Sequence, residues 1–178
     1  MKTGKMKLIF ATNNQHKVDE IRSVIRNSFL EITTLKEAGI EIDIPEPFNT
    51  LEENASNKSR TIYELKGADP TVIGCFSEDT GLEVDILHGE PGVKSARYAG
   101  ESRSFDANIE KLLINLAGKQ DRSARFRAVI SLLIDGRETL FAHPEAHFHI
   151  GLGGMGYDIG EFVPGFIGGD EAGPTATA

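Results

Sequence analysis

A chain of 178 residues with 39% hydrophobic and 26% charged residues fits one compact globular unit and is neither disordered nor fibrous in its usage. Its formal net charge of −8 argues against a general nucleic-acid binder, which presents a basic surface to phosphates, and its apolar runs are far shorter than the ~20 residues of a membrane span. Lys2 and Lys5 precede no signal-peptide core, and the single cysteine, Cys75, lies in an apolar stretch, so the expected setting is the reducing cytoplasm.

The chain opens as strand, loop and helix: residues 6–12 are apolar, 13–16 polar, and Val18, Ile21, Val24 and Ile25 recur at helical spacing. Residues 30–35 alternate as a second strand, and 39–49, punctuated by Pro45 and Pro47, form an extended loop. Thr50 followed by Glu53 is a capping box for a helix running to about Lys66, with Leu51, Ala55, Ile62 and Leu65 on one side and Gly67 as terminator. Residues 71–77 read as a buried strand, and Leu82, Val84 and Ile86 as another, with Glu78-Asp79-Thr80-Gly81 as a polar break between them.

Past the turn at Gly89, Pro91 and Gly92, Ser104 caps a helix over 105–116 whose apolar positions are Phe105, Ile109, Leu112, Leu113 and Leu116. Phe126, Ala128, Ile130 and Leu132 then share one strand face, Asp135-Gly136 makes a hairpin turn, and 139–142 returns antiparallel. The last 28 residues, 151–178, hold nine glycines and carry no amphipathic helix. No repeat or linker divides the chain, so a single domain over 1–178 is expected.

Three polar clusters sit where an α/β sheet opens its binding crevice. Thr12, Asn13, Asn14, Gln15, His16 and Lys17 join a strand to a helix N-terminus, where free N–H groups and the helix dipole favour an anion such as phosphate. Taken singly, the same residues also fit a polar loop with a solvated lysine. Glu78 and Asp79, with Glu46 in its Pro-flanked loop, offer the hard oxygen ligands that suit Mg²⁺, although adjacent acids in a turn are often merely hydrated. Lys58, five residues past Glu53, is either a second phosphate contact or a surface lysine.

Together the clusters resemble a known family. The order T-x-N-x-x-K, P-E, E-N-x-x-x-K, E-D-T-G-L, P-G-x-x-S-A-R-Y and G-x-G-Y-D is similar to that of the inosine triphosphate pyrophosphatases, also called dITP/XTP pyrophosphatases. The six motifs are Thr12 with Asn14 and Lys17; Pro45-Glu46; Glu53-Asn54 with Lys58; Glu78 to Leu82; Pro91-Gly92 with Ser95 to Tyr98; and Gly154 with Gly156-Tyr157-Asp158. The resemblance implies an α/β fold with a mixed central sheet, flanking helices and two lobes around a substrate cleft. It also implies a homodimer that hydrolyses ITP, dITP and XTP to the monophosphate and pyrophosphate. In that reading the 12–17 loop and Lys58 hold the triphosphate, and Glu46 and Asp79 ligate Mg²⁺ with Glu78 beside them. Asp79 activates water, Thr80 touches substrate, and Met155, Gly156, Tyr157 and Asp158 bound the base.

The family's aromatic before Gly-Tyr-Asp is Met155 here, its proline is Ile159, and its C-terminal Ser-His-Arg motif has no counterpart in 151–178, which implies weak discrimination of ITP from ATP. Gly151, Gly153 and Gly156 spell a dinucleotide fingerprint, but Gly160, Pro164 and Gly165 forbid the helix it needs. His147 and His149 share a strand face with His143 nearby and could hold a metal, though exposed histidines are the plainer reading; His16 and His88 read as loop residues. A nucleotide-binding protein of the same family without turnover, and a general metal-dependent phosphatase, are the rival functions.

Overall fold

The computed structural model describes residues 5–25, 28–66 and 69–151. In chain order these form β1 (Met6–Phe10), α1 (Gln15–Val24), β2 (Leu30–Thr33), α2 (Leu51–Leu65), β3 (Val72–Val84), β4 (Pro91–Gly92), α3 (Phe105–Asn115), β5 (Ser123–Ile134) and β6 (Arg137–His149). The strands make one sheet ordered β2-β1-β3-β5-β6, with β4 paired to β3. It is mixed: β1 runs parallel to β2 and β3, while β3–β4, β3–β5 and β5–β6 are antiparallel. The expected α/β class with flanking helices is what the chain adopts.

Local chemistry sets the helix starts. Thr50 accepts from the Glu53 amide at 3.2 Å and donates to its carboxylate at 2.8 Å, and Ser104 accepts from the Ala107 amide at 3.3 Å, so both predicted caps form. Asn14 caps α1 in the same way, accepting from the Lys17 amide at 3.3 Å. Gly67, the predicted terminator of α2, lies outside the described residues.

Both faces of the sheet are covered, which is why its central strands are apolar on both sides. On the α1 face, Leu8, Phe10, Val18, Ile32 and Phe76 form one core, with the Phe10 and Phe76 rings stacked at 4.3 Å. On the α2 face, Ile9, Ala11, Leu35, Ile62, Cys75 and Leu133 form another. A third core, of Val84, Tyr98, Leu112, Leu116 and Ala124, lies at the far end of β3 with α3. The long strands β3 and β5 thus run from one lobe to the other, and a cleft opens where they cross between the cores.

Two elements differ from their sequence reading. The polar break at 78–81 does not exist: β3 is continuous over Val72–Val84, and Glu78, Asp79, Thr80 and Gly81 pair with Ile130, Val129, Ala128 and Arg127 of β5. A strand is held by its ladder, and polar side chains with partners off the sheet do not interrupt it. In β5, Val129, Ser131 and Leu133 are buried beneath α2, while on the face that Phe126, Ala128, Ile130 and Leu132 share Ala128 is buried and Ile130 is 36% exposed. Finally, β6 continues past Ala142 to His149, with a register shift between Phe126 and Arg127 of its partner strand.

Candidate active site

Successive side chains of a strand point to opposite faces, and β3 uses this to separate its two adjacent acids. Cys75, Ser77 and Asp79 face α2. The Cys75 thiol donates to the Ser59 carbonyl at 3.0 Å, Ser77 Oγ to the Ala55 carbonyl at 2.5 Å, and Asp79 Oδ1 accepts from Lys58 Nζ at 2.9 Å. Phe76, Glu78 and Thr80 face the other way. Phe76 stacks on Phe10, and Glu78 Oε1 accepts from Lys17 Nζ at 3.2 Å and from Thr80 Oγ1 at 2.6 Å. Each carboxylate therefore meets a lysine from a different helix.

On the α2 face Lys58 also donates to Glu46 Oε1 at 2.9 Å, so two carboxylates converge on one ammonium. The loop that delivers Glu46 is held at several points. Asn54, buried on α2, accepts from the Phe48 amide at 3.0 Å and donates to the Phe48 carbonyl at 3.3 Å. Asn57 donates to the Pro45 carbonyl at 3.0 Å, and Arg97 to the Glu46 carbonyl at 3.2 Å, with its guanidinium 3.6 Å from the Glu46 carboxylate.

Burial dominates the electrostatics here. It raises the Asp79 pKa above the usual aspartate value, with Lys58 opposing the rise and Glu46 adding to it. Burial also acts to raise Glu46, but Lys58, Arg97 and Arg103 outweigh it and the net direction is down. For Lys58 burial favours the neutral amine, yet Asp79 and Glu46 prevail and its pKa is raised. Of the two acids sharing the ammonium, Asp79, the more buried at its side chain, is left the more basic.

The opposite wall is the loop from β1 to α1. Thr12 Oγ1 accepts from the Asn14 amide at 3.1 Å, and Asn13 donates to the Ile42 carbonyl at 3.3 Å, tying this loop to the one that carries Glu46. Thr12, Asn13, Asn14 and Lys17 line a cavity of about 250 Å³ together with Glu46, Lys58, Glu78, Asp79 and Thr80. Gln15 and His16 do not line it: Gln15 turns back to Asp19 at 2.9 Å and His16 is exposed on α1. Met155, Gly156, Tyr157 and Asp158 lie outside the described residues.

Asn54 and Arg103 shape this cavity without having had a role in the sequence reading, beside Arg97 of the Ser95 to Tyr98 motif. Asn54 fixes the Glu46 loop, and Arg97 and Arg103 add cations to the wall opposite Lys17. A polar side chain inside a helix motif, at Asn54, and the one cation of the Ser95–Arg97 turn were the available signals. The glycine of E-D-T-G-L proves structural, since a Cβ on Gly81 would lie 2.5 Å from the Gly92 carbonyl oxygen. Ser95 closes this approach, accepting from the Leu82 amide at 2.8 Å and donating to the Gly92 carbonyl at 2.6 Å. Among the described residues, no three His, Cys, Asp or Glu side chains are grouped to hold a metal, which covers both the exposed His143, His147 and His149 and the acids of the cleft. No helix among these residues is long and apolar enough to cross a membrane.

Residues 8–172 match the model of the Ham1 family. The chain is 43% identical over 157 residues to the dITP/XTP pyrophosphatase of Flavobacterium psychrophilum, covering 86% of this chain and 80% of that protein. It is 45% identical to the dITP/XTP pyrophosphatase of Porphyromonas gingivalis, covering 89% and 80% respectively. Among solved structures, the Ham1 protein of Staphylococcus aureus superposes with a TM-score of 0.71 at 35% identity, over 85% of this chain and 78% of that one. The HAM1 protein of Coxiella burnetii gives 0.72 at 29% identity, over 86% and 79%.

Proposed function

We propose that this chain, which belongs to the Ham1 family, is a nucleoside triphosphate pyrophosphatase that hydrolyses deaminated purine nucleotides, ITP, dITP and XTP, to the monophosphate and pyrophosphate. The activity is that of the dITP/XTP pyrophosphatases it resembles over most of its length. The observation that carries the chemistry is the convergence of Asp79 and Glu46 on the Lys58 ammonium, across the cavity from Lys17 and the 12–14 loop.

In this reading the triphosphate enters along Thr12, Asn13, Asn14 and Lys17, and water attacks the α-phosphorus. A P–O bond to water forms as the α–β bridging bond breaks; the proton of the attacking water passes to the Asp79 carboxylate, and pyrophosphate leaves with the electron pair. A buried aspartate whose pKa is raised is the better proton acceptor for that step. Lys17 offers the departing phosphates positive charge, and Thr80 stands at their edge.

Glu46 and Asp79 also fit Mg²⁺, a hard ion commonly bound by one or two carboxylates together with waters and substrate phosphates. They already bring two oxygens to one cation, and Lys58 Nζ marks the point they share. When bound there, Mg²⁺ would neutralise phosphate charge. The family resemblance extends the reading to a homodimer in the cytoplasm.

Pyrophosphate and orthophosphate are assayed separately on ITP, XTP, ATP and GTP, with and without Mg²⁺, beside calorimetric nucleotide binding. The expected result is Mg²⁺-dependent pyrophosphate from ITP and XTP. Orthophosphate as the product, or binding with no release, would overturn the assignment.

A further inference from the structure

We infer that Glu78, though adjacent to Asp79 and equally acidic, positions Lys17 and Thr80 for the triphosphate and does not ligate the metal. The inference rests on the proposed triphosphate site and assigns one residue within it. Strand alternation sends Glu78 to the α1 face, away from the point where Asp79 and Glu46 meet. Among the described residues no three acids are grouped for one ion.

What Glu78 touches defines its work. A single oxygen, Oε1, accepts from Lys17 Nζ at 3.2 Å and from Thr80 Oγ1 at 2.6 Å, and both side chains of the ion pair are largely shielded, at 15% and 10% exposed. Lys17 lies in the first turn of α1, at the mouth of the 12–14 loop, and its four-carbon stem has several rotatable bonds. The carboxylate fixes the end of that stem on the cavity wall and turns the Thr80 hydroxyl to the same side. Ordering the ammonium, which has three N–H donors, before the substrate arrives lowers the entropy lost when phosphate binds.

A positioning acid and a ligating acid respond differently to removal of charge. Glu78→Gln keeps an oxygen acceptor for both donors and removes a negative charge beside the polyphosphate, so binding should stay within about threefold of wild type or tighten. Glu78→Ala removes the anchor, and binding should weaken about 10-fold. The probe is inosine triphosphate with an α,β-methylene bridge, measured by calorimetry, so that no turnover is needed. Mg²⁺ titration followed by thermal unfolding should give the same midpoint for Glu78→Gln as for wild type.

In a double-mutant cycle, Lys17→Ala with Glu78→Ala should lose less than the two single losses added together, because once its lysine is gone the anchor's remaining work is Thr80 alone. With turnover, Glu78→Ala should raise KM more than it lowers kcat. A Glu78→Gln chain that has lost Mg²⁺ binding would make Glu78 a ligand and overturn the inference, as would Glu78→Ala binding the analogue like wild type. Failure of the wild-type chain to bind the analogue would instead remove the triphosphate site itself, and this inference with it.

Discussion

The two faces of β3 hold the same kinds of residue in different ratios. On the α1 face one carboxylate, Glu78, meets one lysine, Lys17; on the α2 face two carboxylates, Asp79 and Glu46, share Lys58. The single ion pair presents its ammonium to an incoming anion, whereas on the other face Glu46 is met by Arg97 at 3.6 Å as well as by Lys58, and Asp79, raised by burial, keeps capacity for a proton. In the proposed reaction the contrast would divide the labour of phosphoanhydride hydrolysis across the thickness of one strand, with substrate phosphates on one side and the base and metal ligands on the other. Backbone alternation produces this separation from two consecutive residues, without any additional loop.

The largest expected effect lies on the acid-rich face. Asp79→Asn keeps the shape and removes the proton acceptor, so pyrophosphate release from ITP should fall by at least about 10²-fold, with unfolding temperature and circular dichroism close to wild type. Near-normal release by this variant would break the division, since the α2 face could then lose its base without chemical cost.

Lys58→Met tests the same face by stability. Truncating one partner of a buried ion pair leaves the others uncompensated and costs about 3 kcal/mol or more, and here Asp79 would lose its lysine while Glu46 kept only Arg97 at 3.6 Å. Denaturant unfolding at neutral pH should show that loss, and added Mg²⁺ should recover part of it, because a divalent ion can take the place of the ammonium. A variant as stable as wild type would mean the Lys58 pairs carry no net energy. Lys17→Ala should do less to the fold and act on substrate: KM for ITP should rise about 10-fold as one charge-assisted contact is lost. An unchanged KM would remove the α1 face from phosphate binding.

Much of this site was legible in the sequence because its motifs are local. The Thr50 and Ser104 caps, the strand-loop-helix opening and the extended loop bearing Glu46 all follow from spacing within a few residues. What the sequence did not reveal depends on pairing across the chain. Glu78 and Asp79 read as a turn, since four polar residues in a row mimic one, and only the ladder to Ile130 and Val129 shows that they lie within a strand and face apart. Asn54 gave no hint that it would grip both backbone groups of Phe48, six residues back, because an asparagine inside a helix carries no directional signal by itself. In β5 the shared face of Phe126, Ala128, Ile130 and Leu132 was legible from alternation, but which face α2 covers was not, since the exposed Ile130 is as apolar as the buried Val129 beside it.

The smallest expected effect concerns how Lys58 is linked to pH. Its folded-state pKa is raised above the ordinary 10.5 because attraction to Asp79 and Glu46 exceeds the cost of burial. A cation whose folded pKa lies above its unfolded value contributes stability that is complete below the unfolded pKa and is lost as pH rises through the folded one. The stability difference between wild type and Lys58→Met should therefore hold level from neutral pH to about pH 10 and narrow above it. Urea unfolding of both chains side by side at pH 7, 9, 10 and 11 reads this directly, and general alkaline destabilisation cancels in the difference. A gap that stays constant through pH 11 would mean that the folded pKa of Lys58 is not raised above the unfolded one. A gap that widens between pH 7 and 9 would mean that burial outweighs the two acids and depresses the folded pKa of Lys58, and the α2 face would then be a poorer model of a preorganised cation site than the distances suggest.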